Sequence, residues 1–315
     1  MIRNIVNEIF EREASDWIAH SHDGRDDVYP TAHHRARIVR NVLRQFGRPL
    51  EIADLGCGGG NVAMQLAGDD HRVTGVDQSQ KMIAFAEKAL AAAAPEIRER
   101  VRFANRPLED HGLAHGTYDA VSSMGVIGYL EHDETLFQIA ADLLHEEGVF
   151  LVSCRNRLFN MVSLTHRTLE EIRSGDAEAL IREIYEYYET VPADRAAAFA
   201  ERLEGGISGW KASSGEGRTS ASGPVSKPAL APPAPDEYEP RQHTPRQIEA
   251  VASRCGFTHV QNIGVNPHLV DPNLKRLLPP GLFNAISSSL EALESLPASL
   301  ALSSVFISVF RKNAS

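Results

Sequence analysis

The stretch "EIADLGCGGGNVAMQLAGDDHRVTGVDQSQ" constrains the fold more than any other part of the chain. A short apolar run ends at Asp54, glycines follow at positions 56, 58, 59 and 60, a helix-forming segment comes next, and a second apolar run ends at Asp77. Strand, turn, helix and strand make the unit of a parallel sheet, because only a crossover returns the second strand alongside the first in the same direction. Glycine lets a ligand approach the backbone closely, and the turn's amides with the helix N-terminus are expected to face it. A phosphate loop is excluded, since no Gly-Lys-Ser/Thr follows. The dinucleotide fingerprint GxGxxG fails too: counted from Gly56, its third glycine falls on Asn61, so the spacing is GxGxG.

The alternation of apolar runs and helices continues beyond this unit. Strands are predicted at about 50–54, 72–76, 100–104, 118–123 and 148–154, with helices at about 60–67, 79–93 and 133–144. Gly148 is expected to supply the positive φ that closes the last of these. Residues 1–47 read as an N-terminal helical cover, with Ile5, Ile9 and Phe10 in one segment and Ile38, Val42, Leu43 and Phe46 in another. Residues 48–154 are expected to form the ligand-binding half of the core, around the glycine turn. Residues 155–243 interrupt the rhythm as an insertion in which Leu180, Ile184, Tyr187, Tyr188 and Val191 share a helical face, and its Gly/Ser/Pro-rich part, 205–236, is expected to be flexible. In 244–315 the pattern resumes: Thr244 caps, Pro245 takes the first helical position, Gly256 ends that helix, and strands near 257–264 and 302–310 flank a helix near 282–295. The expected fold class is α/β, a Rossmann-like seven-stranded, mostly parallel sheet with an antiparallel last strand, an N-terminal helical segment and a helical lid insertion.

The segment "DLGCGGG" resembles motif I of the class I S-adenosylmethionine-dependent methyltransferases, and "VDQSQKMIAFA" is similar to the family's common "VDxSxxMLxxA". The likeness is close over about 50–154 and looser toward the C-terminus, where the chain is similar to bacterial small-molecule methyltransferases acting on quinones, polysaccharides and natural products. It implies S-adenosyl-L-methionine as cofactor, with S-adenosyl-L-homocysteine as product. The cofactor would be held by Asp54, Gly56, Cys57, Gly58 and Gly60 at the turn, Asp77 and Gln78 at the ribose, Met82, Leu108 and Glu109 at the adenine, and Met124 beside the methyl group. The family's usual acid after strand 3 is missing, because Pro107 occupies its place in "VRFANRPLED". Asp119 opens strand 4 and reads as a supporting residue.

A base is required only for an acceptor whose nucleophile must lose a proton, so histidines and tyrosines near the strand ends are the candidates. His268 is the first choice, with His243 and Tyr29 behind it. For the acceptor, Tyr129 is a candidate contact to cofactor or substrate, and the sequential Arg155, Asn156 and Arg157 after strand 5 would clamp a phosphate or carboxylate. The pairs His20/His22 and His33/His34 lack a recognisable ligand set, and no metal is expected.

Composition limits the partners. A formal net charge of −10 disfavours nucleic acid and anionic membranes, both of which need a basic field. Three widely spaced cysteines suit the cytoplasm, and neither a signal peptide nor a spanning segment is apparent. The expected activity is methyl transfer to an O, N or C atom of a small molecule, one carrying a phosphate or carboxylate being an option. A tRNA or protein methyltransferase and a non-catalytic cofactor-binding protein are the alternatives, and a homodimer is left open.

Overall fold

A computed structural model describes residues 8, 10–12, 29–213, 239–269, 278–279 and 281–314. Ile5, Ile9, His20, His22 and residues 214–236 of the segment expected to be flexible lie outside this set. The centre is a seven-stranded sheet in the order β3-β2-β1-β4-β5-β7-β6. Its strands are β1 (Glu51–Leu55), β2 (Arg72–Asp77), β3 (Val101–Asn105), β4 (Tyr118–Met124), β5 (Leu144–Arg155), β6 (Phe257–Pro267) and β7 (Ser303–Lys312). The first five run parallel, and β7 is antiparallel to both of its neighbours, β5 and β6.

These strands form where the sequence is apolar on both faces, and alternate residues enter two different cores. In β5, Phe150, Val152 and Cys154 join one cluster while Val149 and Leu151 join the other. The first cluster is filled by aromatic edge-to-face contacts, Phe137 lying 5.2 Å from Phe150 and 5.5 Å from Phe310. Truncating a side chain packed like Phe137 costs about 3–5 kcal/mol. Helices α1 (Thr31–Leu43), α2 (Asn61–Ala67) and α3 (Gln80–Ala91) lie on the second cluster's side through Ile38, Val39, Ala63, Leu66 and Leu90. A fourth, α4 (Pro95–Arg100), leads into β3. On the first cluster's side lies α5 (Asp133–Leu143), and strand order reverses between β1 and β4, opening a crevice at their carboxyl ends.

Several expectations are corrected. The left-handed residue expected at Gly148 is Glu147 (φ 64°), inside the first part of β5. The insertion holds α6 (Asn160–Ser163), α7 (His166–Ser174), α8 (Ala177–Glu186) and α9 (Ala193–Ser213), so residues 205–213, expected to be flexible, are helical. Gly206 explains part of this: α9 approaches α11 (Leu282–Ser289) so closely that a Cβ at 206 would sit 3.0 Å from the Ala285 carbonyl oxygen. Packing against a neighbouring helix outweighs the poor helix propensity of the sequence. Leu180 and Ile184 are buried as expected, but α8 ends before Tyr188, which is 67% exposed. Further along, α10 (Pro245–Arg254) starts with Thr244 and Gln247 in a reciprocal capping box, α11 passes into a 3-10 turn, and α12 (Ala298–Leu302) precedes β7.

Candidate active site

The turn after β1 is tied to β2 by its own backbone. The amides of Gly56 and Cys57 both donate to the Val76 carbonyl (2.8 and 3.1 Å), Gly58 N donates to Asp77 Oδ2 (2.9 Å), and Gly60 N donates to Cys57 O (3.0 Å). Four donors expected to face a ligand are therefore already used, so the turn offers little to a pyrophosphate. Gly56 (φ 70°) and Gly60 (φ 77°) have left-handed backbones, and a Cβ would lie 2.3 Å from Val126 at the first and 2.4 Å from Phe103 at the second. Gly60 thus packs helix α2 against β3 and lines none of the three spaces described below.

Two carboxylates mark the crevice. Asp54, the fourth residue of β1, is buried; its Oδ1 accepts a 2.5 Å hydrogen bond from Ser122, and its Oδ2 has no partner. Burial raises its pKa to about 6, the Ser122 hydroxyl opposing the shift and the Asp77 charge adding to it. Asp77 ends β2, accepts from Gly58 N and Ser79 N, one on each oxygen, and is likewise raised, by burial first. A groove runs past Gly56, Gly58, Asp77, Gln78, Met82, Leu108, Glu109 and Met124. It is completed by Gly125, which follows Met124 at the carboxyl end of β4, and by residues the sequence did not assign to the site: Val126, Leu130, Glu131 and Phe10. Phe10 meets Tyr129 edge to face at 5.3 Å, and the adjoining Glu11 accepts from Ser79 Oγ at 2.8 Å, fastening the N-terminal segment to the start of α3. A smaller recess around Asp54 and Cys57 joins the groove and adds Arg35 of α1. Burial pushes the Cys57 thiol up, well out of the thiolate range.

Beyond Met124 and Gly125 a third chamber is bounded by Arg35, Tyr129, Ser153, Arg155 and Pro240. Of the three residues expected to clamp an anion, only Arg155 lies here. Asn156 is buried and structural, donating from Nδ2 to the carbonyls of Leu300 (2.6 Å) and Ser303 (2.8 Å). Arg157 turns away to Glu171 (Nε–Oε1 2.9 Å) and Asp176. None of the three expected bases lines the groove, the recess or the chamber, although His243 borders a separate, open depression together with Asp133 and Arg157. Tyr29 is buried, donates to Glu291 (2.5 Å) and bonds His34, and burial with the Glu291 charge raises its phenol far above the ordinary value. His243 is buried against Asp133, its Nε2 3.1 Å from the carboxylate. His268 lies between the rings of Phe159 (4.8 Å) and Phe283 (5.5 Å), with Nε2 3.3 Å from Ser304 Oγ. Asp119 accepts from Arg48, Glu51 N and His145 at the opposite end of β4, a supporting position.

Residues 52–148, which hold the glycine turn and both carboxylates, match the family described as "Methyltransferase domain". The match places a methyltransferase domain over this stretch. Over 113 residues it is 27% identical to the ubiquinone biosynthesis O-methyltransferase of Cronobacter sakazakii, covering 36% of this chain and 44% of that protein. Over 128 residues it is 30% identical to the enzyme of the same description from Rhizobium leguminosarum, covering 40% of this chain and 49% of that one. The chain thus spans about half the length of the curated relatives it matches. Among solved structures, magnesium protoporphyrin IX methyltransferase from Synechocystis PCC 6803, crystallised with bound SAH, superposes with a TM-score of 0.57 at 16% identity. That match covers 99% of this chain and 100% of the other, so the sheet beyond the methyltransferase domain, with β6 and β7, shares one fold. Among the described residues no helix is long and apolar enough to cross a membrane.

Proposed function

We propose that the chain transfers the methyl group of S-adenosylmethionine to an O, N or C atom of a small molecule. The observation that carries this reading is the buried, unpartnered Oδ2 of Asp54 beside a turn whose amides are already bonded. An ammonium satisfies that oxygen, and a pyrophosphate does not. Arg35, in the same recess, would take the carboxylate of the methionyl end; Asp77 keeps lone pairs for both ribose hydroxyls; and Met82 and Leu108 give apolar walls for the adenine. When bound, the cofactor supplies a methyl group already activated on a sulfonium. The protein then has to orient the acceptor and exclude water, and no histidine among the described residues lines the groove or the chamber. Met124, Gly125 and Tyr129 border both spaces and would flank the transfer.

Residues 48–154 would hold the cofactor, the segments ahead of them would cover it, and the insertion, which brings Pro240 to the chamber, would wall the acceptor. A chain of net charge −10 suits a small acceptor better than tRNA, and three free cysteines suit a reducing cytoplasm. Calorimetry with SAH tests the first step: micromolar binding is expected, and Asp77→Ala should weaken it about a hundredfold through loss of two charge-assisted contacts. NAD binding in place of SAH would overturn the reading. Binding without methyl gain in any acceptor screened by mass spectrometry would favour a non-catalytic cofactor-binding protein.

A further inference from the structure

The chamber beyond Met124 carries charge that nothing in the described structure neutralises. Arg155, the last residue of β5, and Arg35 of α1 both line it, and neither forms an ion pair or side-chain hydrogen bond among the described residues. Nearby arginines behave differently: Arg157 pairs with Glu171 and Asp176, Arg241 with Asp133, and Arg37 with Glu291 and Glu294. Arg35 Nε is closed off from solvent without a partner. Burial, and then the charge of Arg155, lower the Arg35 guanidinium to about 10. A third unsatisfied group lies on the same wall: Ser153 is 1% exposed, and its buried hydroxyl has no partner. Two cations and an idle hydroxyl around one space, in a chain rich in acids, form a seat for an anion.

We propose that this chamber receives an anionic oxygen group of the methyl acceptor, a carboxylate or a phosphate, with Arg155 as the specificity-determining contact, Ser153 completing the seat, and Arg35 shared between that group and the methionyl carboxylate. The proposal rests on the methyl-transfer reading above. Charge balance gives the same direction: with the methionyl carboxylate on Arg35 and the ammonium on Asp54, a cationic acceptor would still meet two unbalanced cations, the sulfonium and Arg155. Held there, the anionic end leaves the rest of the acceptor facing the groove.

The test uses the full-length protein saturated with SAH and three probes, benzoate, phenyl phosphate and benzamide, titrated by calorimetry or ligand-observed NMR. At least one anion is expected to bind about tenfold or more tightly than neutral benzamide, and the tighter of the two identifies the oxyanion. Arg155→Gln should abolish that preference and Arg155→Lys should retain part of it, both with wild-type melting temperature and SAH affinity. Equal binding of benzamide and both anions overturns the proposal, as does a preference that survives in Arg155→Gln. Failure of SAH to bind would instead overturn methyl transfer, and the same three probes on the ligand-free protein would still decide the seat.

Discussion

Asp54 should make cofactor affinity and ligand-free stability respond to pH in opposite directions. Its carboxyl is raised from the ordinary 3.8 to about 6 because burial penalises the anion. At 1.36 kcal/mol per unit, ionising this group costs the folded protein about 3 kcal/mol at neutral pH. The folded state binds the proton more tightly than the unfolded chain, so this contribution is fully present below 3.8 and is lost as pH rises through 6. Lowering the pH from 7 to 5 should therefore stabilise the ligand-free protein by about 1.4 kcal/mol through this residue. Over the same range the ammonium of SAH loses its partner, and SAH affinity should fall about tenfold between pH 8 and pH 5. Asp54→Asn removes both responses, so the differences between wild type and variant isolate this residue from Asp77 and the rest of the chain. Urea titrations of the ligand-free protein and calorimetry with SAH, each from pH 8 to 5, provide the readouts. Wild-type and variant curves that keep a constant separation in both assays would refute the assignment of an ionisable, ligand-facing Asp54.

Gly60→Ala should destabilise the fold by about 2–4 kcal/mol, from the left-handed backbone together with a Cβ driven into Phe103; differential scanning calorimetry measures it. Arg157→Ala should cost about 3 kcal/mol by leaving the buried carboxylate of Glu171 without its cation, while SAH affinity of the folded variant stays at the wild-type value; urea midpoints and calorimetry check the two halves.

The strands were legible because each is a short apolar run bounded by turn residues, a pattern that a parallel sheet buried on both faces imposes. The carboxylates were legible for a related reason: Asp54 and Asp77 end or nearly end such runs, where the backbone itself fixes them at the sheet's ligand-binding edge. Arg35 was not legible, because it is one of three arginines in "TAHHRARIVRNVL", and only docking of that helix separates it from Arg37, which turns to Glu291 and Glu294. The run "RNR" misled for the same reason. Its three residues are adjacent in sequence, but the chain leaves β5 at Asn156, whose amide anchors to Leu300 and Ser303 and sends Arg155 and Arg157 to different places. Histidines carry no positional signature, so nothing in the sequence distinguishes a base from His268, held between aromatic rings, or His243, held by Asp133.

Helix α1 has a consequence for how this protein can be divided. One side of it presents Arg35 to the recess around Asp54, and from the same helix His34 and Arg37 grip Glu294, with Arg37 also on Glu291, near the other end of the chain. The stretch 52–148 is thus not a portable module: a hybrid that inherited it alone would receive the groove without the guanidinium that faces it. Sequence drift at Glu291 or Glu294 would be felt as a change in cofactor affinity, transmitted along one helix, long before it touched a residue of the groove.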